Sequence, residues 1–338
     1  MWKRSRIAVV GTGAVGREVL GALEMRDVPS EWITVYGSER NVGEELDYGD
    51  DTLEVEALED DAFRGMDVVF LAVPVGEVRL LAVRAQEAGA WVIDVSPSYR
   101  QEAQVPLVLP ALGGAVEKPK VGRILATPSP ITTALALILA PLRDGVGVEH
   151  VSVTALLGAS SAGRAGIREL ETTTANLLSG KDAEPVAFPH RLAFNVVPQV
   201  GPVSPEGETA EERSWGTELE RLTGSWAQRP TVSGTAMLVP TFYGHVLSLE
   251  LELAGDASVE SLRQRWSSAP HLKVLDDAAE RVYPMPMLVG ADPSVHVGRI
   301  RAVPGRPRRV RLVAALDNAG RGAAISAVEV AEALIGQA

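Results

Sequence analysis

The chain has 338 residues, no cysteine, a formal net charge of -12, and 46% hydrophobic against 22% charged residues. That length allows two domains with sizeable cores, and the composition is ordinary for a globular protein. Several classes are excluded. A nucleic-acid binder needs a basic face, thiol catalysis and disulfides need cysteine, and no apolar run approaches the roughly 20 residues that span a bilayer.

Residues 1–6 are short and basic, with neither the apolar core nor the cleavage site of a secretory leader, so a cytoplasmic location is expected. Ile7–Val10 predicts a buried strand, 14–25 a helix, and 33–36 a second strand. Residues 44–59 are rich in Asp and Glu and read as a solvated loop rather than a metal site. Strands follow at 68–73 and 91–94 around a helix at 77–88, then at 107–109 and 123–126. This alternation predicts a parallel sheet with helices on both faces.

Beyond residue 128 the pattern changes. An apolar helix is expected at 131–142, a strand at 151–156, and helices at 162–178 and 210–223. Strands at 237–239, 246–253, 295–300 and 310–316 read as a mixed or antiparallel sheet, and a helix at 323–335 closes the chain. The expected architecture is α/β. A Rossmann-type domain takes residues 1–128 plus 317–338, and an α+β domain takes 129–316.

Gly11-Thr12-Gly13-Ala14-Val15-Gly16 fits GxGxxG between a predicted strand and a predicted helix, the setting in which that motif binds a dinucleotide. The first glycine allows the tight turn, the second lets a pyrophosphate approach the backbone, and the third lets helix and strand pack closely. The second strand ends in Gly37-Ser38-Glu39-Arg40. A hydroxyl and an Arg there suit the 2′-phosphate of NADP better than the free hydroxyl of NAD. An ordinary polar loop is the alternative, and Glu39 speaks for NAD.

Further motifs run along most of the chain. Residues 92–100, VIDVSPSYR, resemble VIDNSSAFR, and 105–110 resemble a run ending in PEVN. Ser160 to Gly163 resembles SGAG, 193–198 resembles AFNVIP, and Thr209-Ala210-Glu211-Glu212 resembles the start of TxEExK. Val239-Pro240 before Gly244-His245 resembles RVPVxxGH, and Gly298-Arg299-Ile300-Arg301 and Asp317-Asn318 resemble closing motifs. In order and spacing these resemble the aspartate-semialdehyde dehydrogenase family of amino-acid biosynthesis. The resemblance implies NADP, with Asn318 added to Gly11–Gly16, Ser38 and Arg40 on the cofactor side, and it implies a homodimer. A homodimer also agrees with apolar strands whose sheet has one face left to cover.

In that family a cysteine in NPNCST attacks the carbonyl carbon and a histidine serves as its base. The stretch here is TPSPIT, residues 127–132, and the nucleophile position holds Pro130. Ser129 and Thr132 are the nearby hydroxyls and fall out of register. The family's Gln before SGAG falls on Leu157, its carboxylate-binding Arg on Leu238, and its Lys after the paired glutamates on Ser214. Two Asn positions fall on Val95 and Gly113. His245 remains, either as a remnant base or as a histidine kept for packing and hydrogen bonding, and Arg100, Glu211 and Arg299 remain as substrate-like positions, with Arg100 otherwise a solvated loop residue. The other four histidines show no metal-ligand spacing and read as structural.

Besides a purely structural reading, a partner protein with an empty nucleotide cleft, two readings follow. One is a catalytically degenerate family member with a binding or regulatory role, a homodimer or a heteromer with an active relative. The other is an NAD(P)-dependent oxidoreductase that uses His245 by a cysteine-independent route on a small aldehyde, acyl phosphate or other substrate.

Overall fold

A computed structural model describes residues 2, 5–116, 118–290 and 292–336, so part of the basic start lies outside the described residues. Contacts divide the chain into two units. One runs to Ser129 and resumes at Gly322, and the other is Pro130–Arg321.

The first unit contains β1 (Ile7–Val10), α1 (Ala14–Glu24), β2 (Ile33–Gly37), β3 (Glu45–Tyr48), β4 (Asp51–Ala57), β5 (Val68–Leu71), α2 (Val75–Glu87), β6 (Trp91–Asp94) and β7 (Ile124–Ala126). The seven strands lie in the order β3-β4-β2-β1-β5-β6-β7. All neighbours are parallel except the β3–β4 pair. All four residues of β1 are buried, as a central strand covered on both faces requires. Ile7 and Val9 pack with Val19 and Leu23 of α1, whereas Ala8 and Val10 pack with Val78, Leu81 and Ala85 of α2.

The acidic stretch departs from the sequence reading. It is a hairpin, not a solvated loop. Leu46, Tyr48, Leu53 and Val55 recur at every second position and are buried, while the acidic residues between them face water. Tyr48 donates its hydroxyl to the Val28 carbonyl at 2.6 Å. The strand expected at 107–109 is only an isolated bridge between Leu107 and Ala126, because Pro106 and Pro110 bring no N–H to a ladder.

The second unit contains α3 (Pro130–Leu139), β8 (Val148–Leu157), α4 (Gly163–Leu178), α5 (Ala210–Thr223), β9 (Thr231–Leu238), β10 (His245–Leu253), α6 (Val259–Ser267), β11 (Leu272–Val274), β12 (Val295–Val303) and β13 (Arg306–Leu316). Its mixed sheet runs β11-β12-β13-β10-β8-β9. The outer pairs β8–β9 and β11–β12 are parallel, and the inner pairs are antiparallel. One face is apolar and buried, with α5 against β9 and α3 against β13. The other face carries Ser152, Ser233, Thr235, Ser248 and Arg311, all exposed. The uncovered face is thus rich in hydroxyls and charge, unlike the apolar face expected from the strands.

Glu212 ties α5 to the sheet. Its carboxylate accepts the Thr209 N–H at 2.8 Å in a capping box and the Ala236 N–H of β9 at 2.9 Å. Partial burial raises its pKa, but these backbone donors outweigh that and hold it below the usual carboxylate value. The chain then turns through a π-helical stretch, Gly320–Ala324, into α7 (Ile325–Gly336). Val328, Ala331 and Leu334 of α7 are buried with α1 in the first unit's core, and Arg26 pairs with Glu332 at 2.9 Å.

Candidate functional site

Two groups of residues carry chemistry, one in each unit. In the first unit the glycine loop follows the carboxyl end of β1, where open parallel sheets bind ligands. Gly11 has φ +109°, and a Cβ there would lie 2.3 Å from the Ala72 carbonyl oxygen. A Cβ on Gly16 would lie 1.8 Å from the Gly11 oxygen. Both positions therefore exclude a side chain. A Cβ on Gly13 would meet nothing within 4 Å. Gly13 caps α1 without a side-chain hydrogen bond, and no acidic residue occupies the helix's first turn. The loop thus leaves room at a helix N-terminus that attracts an anion, and these residues fit a dinucleotide pyrophosphate.

Behind the loop runs a polar network. Asn41 Nδ2 donates to Thr12 Oγ1 at 2.9 Å and to Glu44 Oε2 at 3.0 Å. Ser38 Oγ donates to Asn41 Oδ1 at 3.1 Å. Arg17 donates to the Thr12 carbonyl at 3.2 Å and pairs with Glu44. Arg17 went unrecognised in the sequence, Asn41 entered only within the segment after the second strand, which resembles the family's NADP segment, and Glu44 only as the first residue of the acidic stretch. Their roles depend on β2 and the following turn folding back against Thr12. Arg40 is exposed and makes no ion pair among the described residues.

Arg100 is buried. Its Nε donates to the Thr127 carbonyl at 3.0 Å and its Nη2 to the Val95 carbonyl at 2.8 Å, joining the ends of β6 and β7. Beside it Asp94 is fully buried, and burial raises its pKa against the opposing pull of Ser96 and Arg100.

In the second unit His245 opens β10. It pairs with Leu157 of β8 on one side and Leu316 of β13 on the other, and Leu157 pairs in turn with Leu238 of β9. Residues paired across a ladder point to the same face. One histidine therefore sits in a row of three leucines, all 4% exposed or less. Burial pushes the imidazole down to about 4, against a backbone hydrogen bond with Gly244 that raises it. Nδ1 accepts the Gly158 N–H at 3.3 Å, which places the proton of the neutral ring on Nε2. Two residues along, Ser160 donates its hydroxyl to Asn318 Oδ1 at 2.8 Å. His245, Gly158, Ser160 and Asn318 thus gather at one end of the second sheet.

Other sequence-marked residues make contacts of their own. Glu211 accepts the indole N–H of Trp215 at 3.1 Å within α5. Arg299 is exposed, has φ +54° at an irregularity in β12, and lies 5.6 Å over the Tyr283 ring. Pro130 is the first residue of α3, where a missing N–H is tolerated. Ser129 and Thr132 beside it are fully buried. His150 bridges the hydroxyls of Thr231 and Ser233, and buried His296 lies 3.2 Å from Asp292. Among the described residues, no cluster of His, Asp and Glu could hold a metal ion, and no helix is long and apolar enough to cross a membrane.

Two family models match in sequence order: semialdehyde dehydrogenase, NAD binding domain, over residues 6–116, and semialdehyde dehydrogenase, dimerisation domain, over 139–320. The chain is 32% identical to the aspartate-semialdehyde dehydrogenase of Aquifex aeolicus, over 98% of each chain. The chain belongs to the aspartate-semialdehyde dehydrogenase family. The Legionella pneumophila relative is 31% identical over 99% of this chain and 96% of its own. Aspartate semialdehyde dehydrogenase II from Vibrio cholerae, solved in complex with ASA, superposes with a TM-score of 0.90 at 28% identity over 98% of both chains.

Proposed function

We propose that this family member binds a nicotinamide dinucleotide but no longer performs the family's thioacyl chemistry, and that it acts as a homodimer in a binding or regulatory role. The observation that carries the reading is the row Leu238-Leu157-His245-Leu316 in a chain without cysteine. By the sequence resemblance, positions 157 and 238 hold polar anchors in active relatives, and position 130 holds the nucleophile. Leucines there would leave a polar substrate's ends without partners, at about 1–3 kcal/mol per group. Proline supplies no nucleophile, and a buried serine beside it would need a base in register.

Gly11, Thr12, Gly13, Ala14, Val15 and Gly16 would hold the pyrophosphate, and exposed Arg40 would favour NADP through its 2′-phosphate. A bound nicotinamide supplies a hydride donor or acceptor. Neutral His245 retains a hydrogen-bonding Nε2–H, which keeps the second reading alive: an oxidoreductase acting on a small carbonyl substrate without a covalent intermediate.

The deciding assay follows NADP reduction with aspartate semialdehyde and phosphate. No turnover above background is expected, and Pro130→Cys alone should not restore it, because the anchors at 157 and 238 stay apolar. Wild-type turnover abolished by His245→Ala would favour the oxidoreductase. In parallel, Arg40→Ala should weaken NADP roughly ten- to a hundredfold and NAD little, as expected for the loss of a charge-assisted contact. Equal losses for both cofactors would remove the NADP assignment.

A further inference from the structure

The network behind the glycine loop has a direction. A carboxylate only accepts hydrogen bonds, so the group that Asn41 turns toward Glu44 must be its NH2. Arg17, paired with the same carboxylate, keeps it in place. That orientation puts Asn41 Oδ1 on the Ser38 side, and an amide oxygen also only accepts. Ser38 must therefore donate, and a serine hydroxyl has one proton. What Ser38 presents outward is a pair of lone pairs.

We propose that Glu44 and Asn41 set Ser38 as an acceptor for the ribose 2′-hydroxyl, so that the site takes both NAD and NADP, with Arg40 alone recognising the 2′-phosphate. The inference rests on the dinucleotide reading of the glycine loop and reassigns Ser38, which the sequence pairs with Arg40 on the phosphate. A ribose 2′-hydroxyl can donate to Ser38, and the oxygens of a 2′-phosphate cannot. Arg40 offers only donors, which suit the phosphate. The same amide also donates to Thr12 Oγ1 at 2.9 Å, which leaves the Thr12 proton available to a pyrophosphate oxygen. One asparagine thus fixes the hydrogen-bonding sense of both ends of the adenosine site.

The test is titration of NAD and NADP into the full chain, followed by tryptophan fluorescence. Ser38 is exposed, so Ser38→Ala leaves the fold intact. It should weaken NAD about fivefold, as for one neutral hydrogen bond, and leave NADP nearly unchanged. Glu44→Gln lets the Asn41 amide turn over and frees the Ser38 proton, so NADP should gain about fivefold relative to NAD. Asn41→Ala should shift the ratio in the same direction, and it serves as the second relay variant should Glu44→Gln fail to fold. Loss of NADP affinity with NAD unchanged in Ser38→Ala would show Ser38 donating to the phosphate and overturn the inference alone. Wild-type protein that binds neither dinucleotide would overturn the site reading and the inference together.

Discussion

His245 is the residue where sequence and surroundings disagree most. Its type suggests a base that titrates near neutrality, but its row of leucines holds it at about 4. An unfolded histidine titrates near 6.5, so the unfolded chain binds more protons between about 4 and 6.5. Stability from the buried neutral ring is therefore complete above pH 6.5 and falls as pH drops toward 4. The loss is at most about 3 kcal/mol. Urea unfolding of His245→Leu should show a flatter stability profile across that window than wild type, and parallel profiles would contradict it. Two leucines of this row, Leu157 and Leu238, were legible in the sequence, since motif spacing placed them where the family resemblance implies polar groups. That Arg100 already donates to two backbone carbonyls was not legible, because those bonds join the β6 end, 5 residues away, to the β7 end, 27 residues away.

At the scale of elements, the glycine loop separates fold from function within six residues. Gly16→Ala would push a methyl onto the Gly11 oxygen, and only a shift of α1 relative to β1 could relieve it. That variant should lose several kcal/mol of stability, in the range of overpacked cores or more. Gly13→Ala places its methyl in open space, so its melting temperature should stay near wild type while dinucleotide binding falls. Comparing thermal melts with NADP titrations checks both, and equal behaviour of the two variants would refute the division. The Rossmann strands were readable because each is a short apolar run bounded by turn residues. The β3–β4 hairpin was obscured by its acidic outward positions, although Leu46, Tyr48, Leu53 and Val55 alternate beneath them. In the second unit, β9 begins at Thr231 but was expected only from residue 237. Its first half carries Ser233, Gly234 and Thr235 on exposed positions, with no apolar run to mark it. The helix α6 was also missed. Its buried side chains are only Leu262 and Trp266, too few for a visible helical stripe.

For the molecule as a whole, the proposed homodimer predicts a sedimenting species of twice the 35.8 kDa chain at micromolar concentration. A monomer would count against it. The uncovered sheet face mixes Arg309 and Arg311 with Glu250 and Glu252, in ion pairs of 2.6 to 3.1 Å. Association there would be more polar than a core cut in half, so its dependence on salt is worth following. The return of α7 to the first unit has a consequence during synthesis. The glycine loop and the seven-stranded sheet are synthesised well before the helix that packs on α1. Until then Val19, Leu23 and their neighbours lack part of their cover, and residues 130–321 must emerge in between. A dinucleotide captured by the early loop would sit on a half-finished support until residues 325–336 have been made.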